Sequence, residues 1–140
     1  MPADVEQLLV DTSAAVPFVV AGHPDHAAVF ERLGSSVLGL SGHAAFETYS
    51  VLSRLPAPTR RTAPTIGRLL SSNFPLTSFL GADATAALHA RLSTLGITGG
   101  GVYDALVGAA AAEHGMPLAS RDRRAAGTYE RLAVEIIWLD

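Results

Sequence analysis

Short apolar runs alternate with helical patterns along the chain, and this alternation constrains the fold more than any other feature. The runs predicted as strands are, in chain order, QLLVD, SSVLGLS, PLTSF, MPLAS and VEIIWLD. Between them lie segments with the apolar spacing of helices, several of which end at glycine or proline. Strands separated by helices favour an α/β fold with a mostly parallel sheet covered on both faces.

Length and composition narrow the class of protein. With 140 residues and no internal repeat or linker, the chain is predicted to form one domain over residues 1–140. It has no cysteine, which excludes disulfides, thiolate metal sites and cysteine nucleophiles. No apolar segment reaches the roughly 20 residues of a membrane span. The amino-terminal segment MPADVEQLLVDTS has no basic region, so it is not predicted to be a secretory signal, and the cytoplasm is expected.

The charge balance is slightly acidic. All ten basic residues are arginine, and the net charge is −3. This balance gives no overall attraction to nucleic acid. Contact with RNA or DNA would therefore depend on a local patch or a bound cation.

Four acidic residues stand out by their positions. Asp11 and Asp122 each follow a short predicted strand, so both should lie at the carboxyl ends of parallel strands, where open α/β sheets bind ligands. Asp104 follows a triple glycine and lies in the first turn of a predicted helix, whose dipole favours a carboxylate. Glu47 shares a helical stripe with His43.

Ordinary structural roles remain open for the same residues. Asp11 could cap the following helix, although Thr12 or Ser13 is the predicted cap. Asp122 could pair with a neighbouring arginine, and Glu47 could lie on a solvated helix face. Converging carboxylates would repel one another unless a divalent cation compensated their charge. Ligands that are all oxygen favour Mg²⁺ or Mn²⁺ over zinc.

Four segments carry a resemblance to a known family. Three of the segments are LLVDTSA, HAAFETYSVLSRL and GGGVYDALVGAAA, and the fourth is ASRDRRA with the tyrosine that follows it, Tyr129. They resemble, in order and roughly in interval, the four acidic motifs of PIN-domain ribonucleases. The chain is similar in particular to the VapC toxin group of type II toxin–antitoxin systems. The resemblance covers essentially the whole chain and implies a PIN-like three-layer α/β/α fold.

The resemblance also implies an activity and a site. It implies a metal-dependent endoribonuclease, a hydrolase that cuts RNA phosphodiester bonds with water. The implied catalytic cluster is Asp11, Glu47, Asp104 and Asp122. Of these, the three aspartates would hold Mg²⁺, with Mn²⁺ as the alternative, while Glu47 would position the attacking water or act as its base. Residues implied to orient the acids or to contact substrate are Thr12, Ser13, Ser120 and Arg121.

The implied partners are RNA and a small VapB-like antitoxin that holds the toxin inactive. The resemblance implies either a homodimer or a toxin–antitoxin hetero-oligomer. No membrane partner and no direct DNA binding are expected, because in this family the antitoxin usually binds the operator.

Two alternatives remain open. The chain could be a non-catalytic PIN-like interaction module whose acids only cap helices, or a PIN nuclease of RNA processing without an antitoxin. A receiver domain would need a lysine, and a haloacid-dehalogenase-like phosphotransferase an aspartate where Ser13 stands. A Rossmann domain would need its glycine motif where DTSAAV stands. No histidine is assigned as a metal ligand, and His23 and His26 are expected in an exposed turn.

Overall fold

The computed structural model describes residues 5–139. Its strands are β1 (Gln7–Val10), β2 (Val37–Leu40), β3 (Leu118–Ser120) and β4 (Ile136–Trp138). Its helices are α1 (Thr12–Val19), α2 (His26–Leu33), α3 (Ala44–Ser53), α4 (Ala63–Asn73), α5 (Ala82–Arg91), α6 (Gly101–Glu113) and α7 (Ala126–Arg131), and a 3₁₀ turn spans Arg123–Ala125. Expectations for residues 1–4, and for Asp140 at the end of the last predicted strand, lie outside the described residues.

The helix ends follow the sequence signals. Helix α4 begins after Thr62, whose hydroxyl accepts a hydrogen bond from the backbone N–H of Thr65. Helix α2 ends at Gly34, as predicted. Helix α6 is followed by Gly115, whose φ of +63° lies in the left-handed region that favours glycine. No helix within residues 5–139 is both long and apolar enough to cross a membrane.

The four strands form one parallel sheet in the order β2-β1-β3-β4. In the central strand, Val10 pairs with Leu40 on one side and with Ala119 on the other. The predicted parallel sheet is therefore confirmed. Because β1 and β3 are neighbours and run the same way, the residues that follow them emerge at the same edge of the sheet.

Helices cover both faces of the sheet, because alternate strand residues point to opposite sides. Leu8 and Val10 pack with α1 and α2. Leu9 and Leu118 pack with α6 and α7 on the other face. The predicted three-layer arrangement is confirmed, and β1 is buried on both sides.

The predicted strand at residues 75–79 is wrong. The backbone N–H groups of Leu76 and Ser78 do donate to carbonyl groups of β2, so the segment lies beside that strand. However, the hydroxyl of Thr77 accepts the hydrogen bond from the N–H of Leu40 (3.0 Å) that a neighbouring strand's carbonyl would take. Only an isolated bridge at Ser78 results.

Candidate active site

Four acidic side chains line one cleft at the carboxyl edge of the sheet. Asp11 follows β1 and Asp122 follows β3, while Glu47 and Asp104 lie in the first turns of α3 and α6. The residues that line the cleft are Asp11, Thr12, Ser13, Glu47, Asp104, Val107, Asp122 and Tyr129. The structure thus brings together all four acids that the sequence singled out.

Asp11 is 5% exposed and is held by four hydrogen bonds. Its Oδ1 accepts from the hydroxyl of Ser13 (2.6 Å) and from the N–H of Ala14 (3.2 Å). Its Oδ2 accepts from the hydroxyls of Ser120 (2.5 Å) and Tyr129 (3.0 Å). Burial raises the pKa of Asp11, and these hydrogen bonds oppose that rise because they favour the charged form.

The prediction that Thr12 or Ser13 caps α1 is wrong, because Asp11 is the capping residue. Its extended backbone (φ −91°, ψ 178°) places its carboxylate against the first turn of the helix. The hydroxyl of Thr12 instead accepts a hydrogen bond from Thr48 of α3 (3.2 Å). Asp11 therefore caps a helix and lines the cleft at the same time.

Tyr129 is the cleft residue to which the sequence interpretation gave no role. Its side chain is buried, and burial together with the nearby charge of Asp11 raises the pKa of its hydroxyl. The hydroxyl therefore stays protonated and donates to Asp11. The ring packs against α6 at Gly108, where a Cβ would lie 2.9 Å from its Cδ1. The available signal was general: a tyrosine on the apolar face of a helix needs a polar partner for its hydroxyl.

The electrostatic coupling between the acids is clearest at Asp104. Burial raises the pKa of Asp104 most, and the negative charges of Asp122, Glu47 and Asp11 raise it further, in that order. Arg124 acts in the opposite direction. The cleft therefore carries more negative charge than its own residues neutralise.

Asp122 forms an ion pair with Arg124. Arg124 donates from Nε to Oδ1 (3.1 Å) and from Nη2 to Oδ2 (3.3 Å) of Asp122. The N–H of Arg124 also donates to Oδ1, which begins the 3₁₀ turn. Arg124 is 93% exposed, so water screens this pair strongly. The ordinary pairing considered for Asp122 is present, and Asp122 still lines the cleft.

Glu47 lies at the open edge of the cleft and is partly exposed. Its side chain is 45% exposed, and its Oε1 lies 3.8 Å from Nε2 of His43, one helical turn earlier. A solvated carboxylate at the cleft edge is accessible both to water and to substrate. The stripe that the sequence predicted for His43 and Glu47 is present.

The residues predicted to support the acids divide into two groups. Ser13 and Ser120 contact Asp11 directly, and the hydroxyl of Ser13 also accepts from the N–H of Arg121 (2.8 Å). The guanidinium of Arg121 instead donates to Asp25 (2.6 Å). Arg121 is not among the residues that line the cleft, so its contact with the site is through its backbone.

The two histidines expected in an exposed turn are partly buried instead. Nδ1 of His26 donates to the backbone carbonyl of Pro17 (2.8 Å). Nδ1 of His23 accepts from the N–H of Asp25 (3.0 Å). The His26 contact joins α2 to α1, whereas the His23 contact is local to the turn before α2, and neither ring lines the acidic cleft.

The donor chemistry of the cleft fits a hard divalent cation. Across residues 5–139, no three carboxylate or imidazole groups are close enough to surround one ion. Hydroxyls hold Asp11 and a guanidinium holds Asp122 in this structure. Even so, four carboxylates share the cleft, and their mutual repulsion is what a cation would relieve. Oxygen donors of this kind suit Mg²⁺ or Mn²⁺.

Comparison with known proteins gives consistent results. The family model described as PIN domain matches residues 8–131. Ribonuclease VapC27 of Mycobacterium tuberculosis is 46% identical over 130 residues, which cover 93% of this chain and 95% of the relative. Ribonuclease VapC40 of the same species is 42% identical over 128 residues, covering 90% and 94%.

Solved structures share the fold at low sequence identity. VapBC2 from Rickettsia felis, bound to a promoter DNA fragment, matches with a TM-score of 0.66 and 14% identity, covering 96% of this chain and 99% of that one. DNA-bound VapBC from Salmonella typhimurium matches with a TM-score of 0.66 and 17% identity, covering 98% and 100%. These likenesses support the same architecture.

Proposed function

The chain belongs to the PIN domain family, and we propose that it is an endoribonuclease of the VapC type, the toxin of a type II toxin–antitoxin pair. The observation that carries this proposal is the convergence of four acids from four separate elements in one cleft. Relatives above 40% identity are named ribonucleases. The reaction is hydrolysis of an RNA phosphodiester bond by water.

We propose Mg²⁺ as the cofactor, with Mn²⁺ as the alternative. Asp11, Asp104 and Asp122 would hold it, because their oxygens line the same cleft from β1, α6 and β3. When bound, the ion supplies positive charge that stabilises the scissile phosphate and makes water more acidic. The raised pKa of Asp104 supports this assignment, since burial and three neighbouring carboxylates raise it and only Arg124 opposes them.

The protein's own residues orient the reaction. Glu47 is proposed to accept the proton of the attacking water, because its side chain is 45% exposed at the cleft and no described residue donates a hydrogen bond to it. Asp11 is kept in place by Ser13, Ser120 and Tyr129. The exposed guanidinium of Arg124 is available to contact the RNA backbone at the cleft edge.

The proposed protein partner is a small VapB-like antitoxin. VapBC complexes are among the solved structures that share this fold. The chain also has an apolar hollow between α3 and α4, lined in part by Ala45, Leu70 and Phe74. We also propose that the chain forms a homodimer or a toxin–antitoxin hetero-oligomer in the cytoplasm. In the hetero-oligomer the antitoxin would bind the DNA.

A second candidate is a non-catalytic interaction module. It is favoured by the finding that Asp11 caps α1 and that Asp122 caps the 3₁₀ turn. Under this alternative, both acids have sufficient structural roles and the cleft has no reaction to perform. Cleavage assays separate it from the nuclease.

The role of Glu47 provides the test. Purified Glu47→Gln should cut single-stranded RNA at least roughly a hundredfold more slowly than wild type in Mg²⁺, which is the usual contribution of a general base. The matched control is Glu31→Gln, an exposed glutamate on α2 away from the cleft, which should cut at the wild-type rate. Equal rates for all three proteins would remove Glu47 from the mechanism, and no cleavage by any would favour the interaction module.

A further inference from the structure

Two aromatic rings stack at the rim of the acidic cleft. The ring centroids of His43 and Tyr103 are 5.1 Å apart, and their planes are inclined by 27°. Tyr103 is nevertheless 53% exposed. A large aromatic side chain that is packed on one ring and still open to solvent offers a surface to a further flat group.

The pair adjoins two acids of the cleft. Nε2 of His43 lies 3.8 Å from Oε1 of Glu47. Tyr103 directly precedes Asp104 in the first turn of α6. Neither ring is among the residues that line the cleft. The stacked pair therefore borders the site and does not form its floor.

We propose that the His43–Tyr103 pair stacks on one base of single-stranded RNA and so selects the nucleotide beside the cleaved phosphate. This inference rests on the proposed function and deepens it. Single-stranded RNA is commonly recognised through unstacked bases placed on aromatic side chains. In this protein the aromatic side chains that receive the base would be those of His43 and Tyr103.

Charge and position favour a base as the occupant. The cleft is rich in negative charge, which repels the neighbouring phosphates of a bound strand. A base is uncharged, and its faces are attracted to an aromatic ring. When a phosphate lies among the acids, an adjacent base lies near the rim, where the stacked pair presents an aromatic surface next to Glu47 and Asp104.

Two more exposed rings, Phe46 and Phe79, adjoin the pair, since the ring centroids of His43 and Phe46 are 6.4 Å apart. The ring centroids of Phe46 and Phe79 are 5.9 Å apart. Both line an apolar hollow with Leu80 and Leu106. Such an apolar patch has the character of a protein contact. His43 lines the same hollow and Tyr103 does not, so the test of the proposal is placed on Tyr103.

The experiment uses RNA binding as well as cleavage. Each aromatic variant is made in wild type and in the Asp104→Asn background, which by the proposed function binds RNA without cutting it. The probe is a fluorescein-labelled single-stranded RNA of random sequence, about 12 nucleotides long, matched to typical single-strand site sizes. The variants are Tyr103→Ala, Tyr103→Phe and the control Tyr49→Ala. Tyr49 is an exposed tyrosine on the same helix as His43, two residues beyond Glu47.

Tyr103→Ala should weaken binding of the probe about fivefold or more, the usual effect of losing one stacked base. Tyr103→Phe should bind as the parent does, since the ring is retained, and so should Tyr49→Ala. Cleavage sites mapped on total RNA should also change in the base preferred beside the cut when Tyr103 becomes alanine. A ring with a purely structural role would leave that preference unchanged.

Three results would overturn the inference in different ways. If wild type cleaves RNA and Tyr103→Ala binds the probe equally well, the inference fails and the proposed function stands. If Tyr103→Ala alters the mass in light scattering while RNA binding is unchanged, the pair belongs to a protein interface. If wild type neither binds nor cleaves RNA, the proposed function fails and the inference fails with it.

Discussion

The hydroxyl of Tyr129 donates a hydrogen bond to Oδ2 of Asp11 over 3.0 Å, and this contact joins the last helix to the end of the central strand. It is one of three hydroxyl contacts that hold the same buried carboxylate. Because burial disfavours the charged form of Asp11, these donors are what make a carboxylate at this position acceptable. The fold and the site therefore depend on the same atoms.

Loss of the hydrogen bond from Tyr129 to Asp11 should lower the stability of the protein by a measurable amount. We expect Tyr129→Phe to lower the free energy of unfolding by about 1–2 kcal/mol, because a buried carboxylate loses one donor. The free energy of unfolding is measured by urea unfolding, monitored by circular dichroism. Tyr49→Phe, which removes an exposed hydroxyl, should change it by less than about 0.5 kcal/mol. Equal effects of the two substitutions would show that the contact is energetically unimportant.

The approach of Tyr129 to α6 gives a second prediction. A methyl group at Gly108 would lie 2.9 Å from the Tyr129 ring, so Gly108→Ala should destabilise the protein by about 1–2 kcal/mol despite the better helix propensity of alanine. Gly127→Ala in α7 meets nothing within 4 Å and should stabilise by up to about 1 kcal/mol. Urea unfolding curves of both variants test the pair. A stable Gly108→Ala variant would mean that the ring can move away without cost.

The acids should oppose folding when no metal is present. Burial and the neighbouring carboxylates raise the pKa of Asp104 in the folded state above its unfolded value. Protonated Asp104 therefore stabilises the fold fully at pH values below its pKa in the unfolded state. This stabilisation is lost as the pH rises through its pKa in the folded state. In chelator, Asp104→Asn should melt roughly 1–4 °C above wild type near pH 7, and the gap should close near pH 4.

The control for this prediction is Glu130→Gln, which removes an exposed acid on α7 and should melt with wild type at both pH values. If Asp104→Asn melted clearly below wild type in chelator, the helix-dipole contribution of Asp104 would outweigh the repulsion. The inference that the cleft carries excess negative charge would then be wrong.

The positions of the four acids were predictable because they depend on local signals and on topology. Asp11 and Asp122 follow short apolar runs, and parallel pairing of those runs brings their ends together. Asp104 follows glycines at a helix start. The helical pattern alone gave weaker grounds for including Glu47 in the site, and the family resemblance supplied the reason to include it.

The partners of these acids were not predictable in the same way. Tyr129 is separated from Asp11 by 118 positions, and their contact depends on how α7 packs against the sheet. The helix cap was misassigned because Asp11, Thr12 and Ser13 can all cap, and only the backbone angles at Asp11 decide between them. The strand at residues 75–79 was wrong because a single hydroxyl, that of Thr77, replaces a ladder hydrogen bond.

The central claim is that the acidic cleft holds a divalent cation and hydrolyses RNA. The most direct test compares purified wild type with Asp104→Asn on total cellular RNA, in Mg²⁺, in Mn²⁺ and in chelator. We expect discrete fragments from wild type in at least one metal, none in chelator, and none from Asp104→Asn in any condition. Cleavage by wild type that persists in chelator, or full cleavage by Asp104→Asn, would contradict the account.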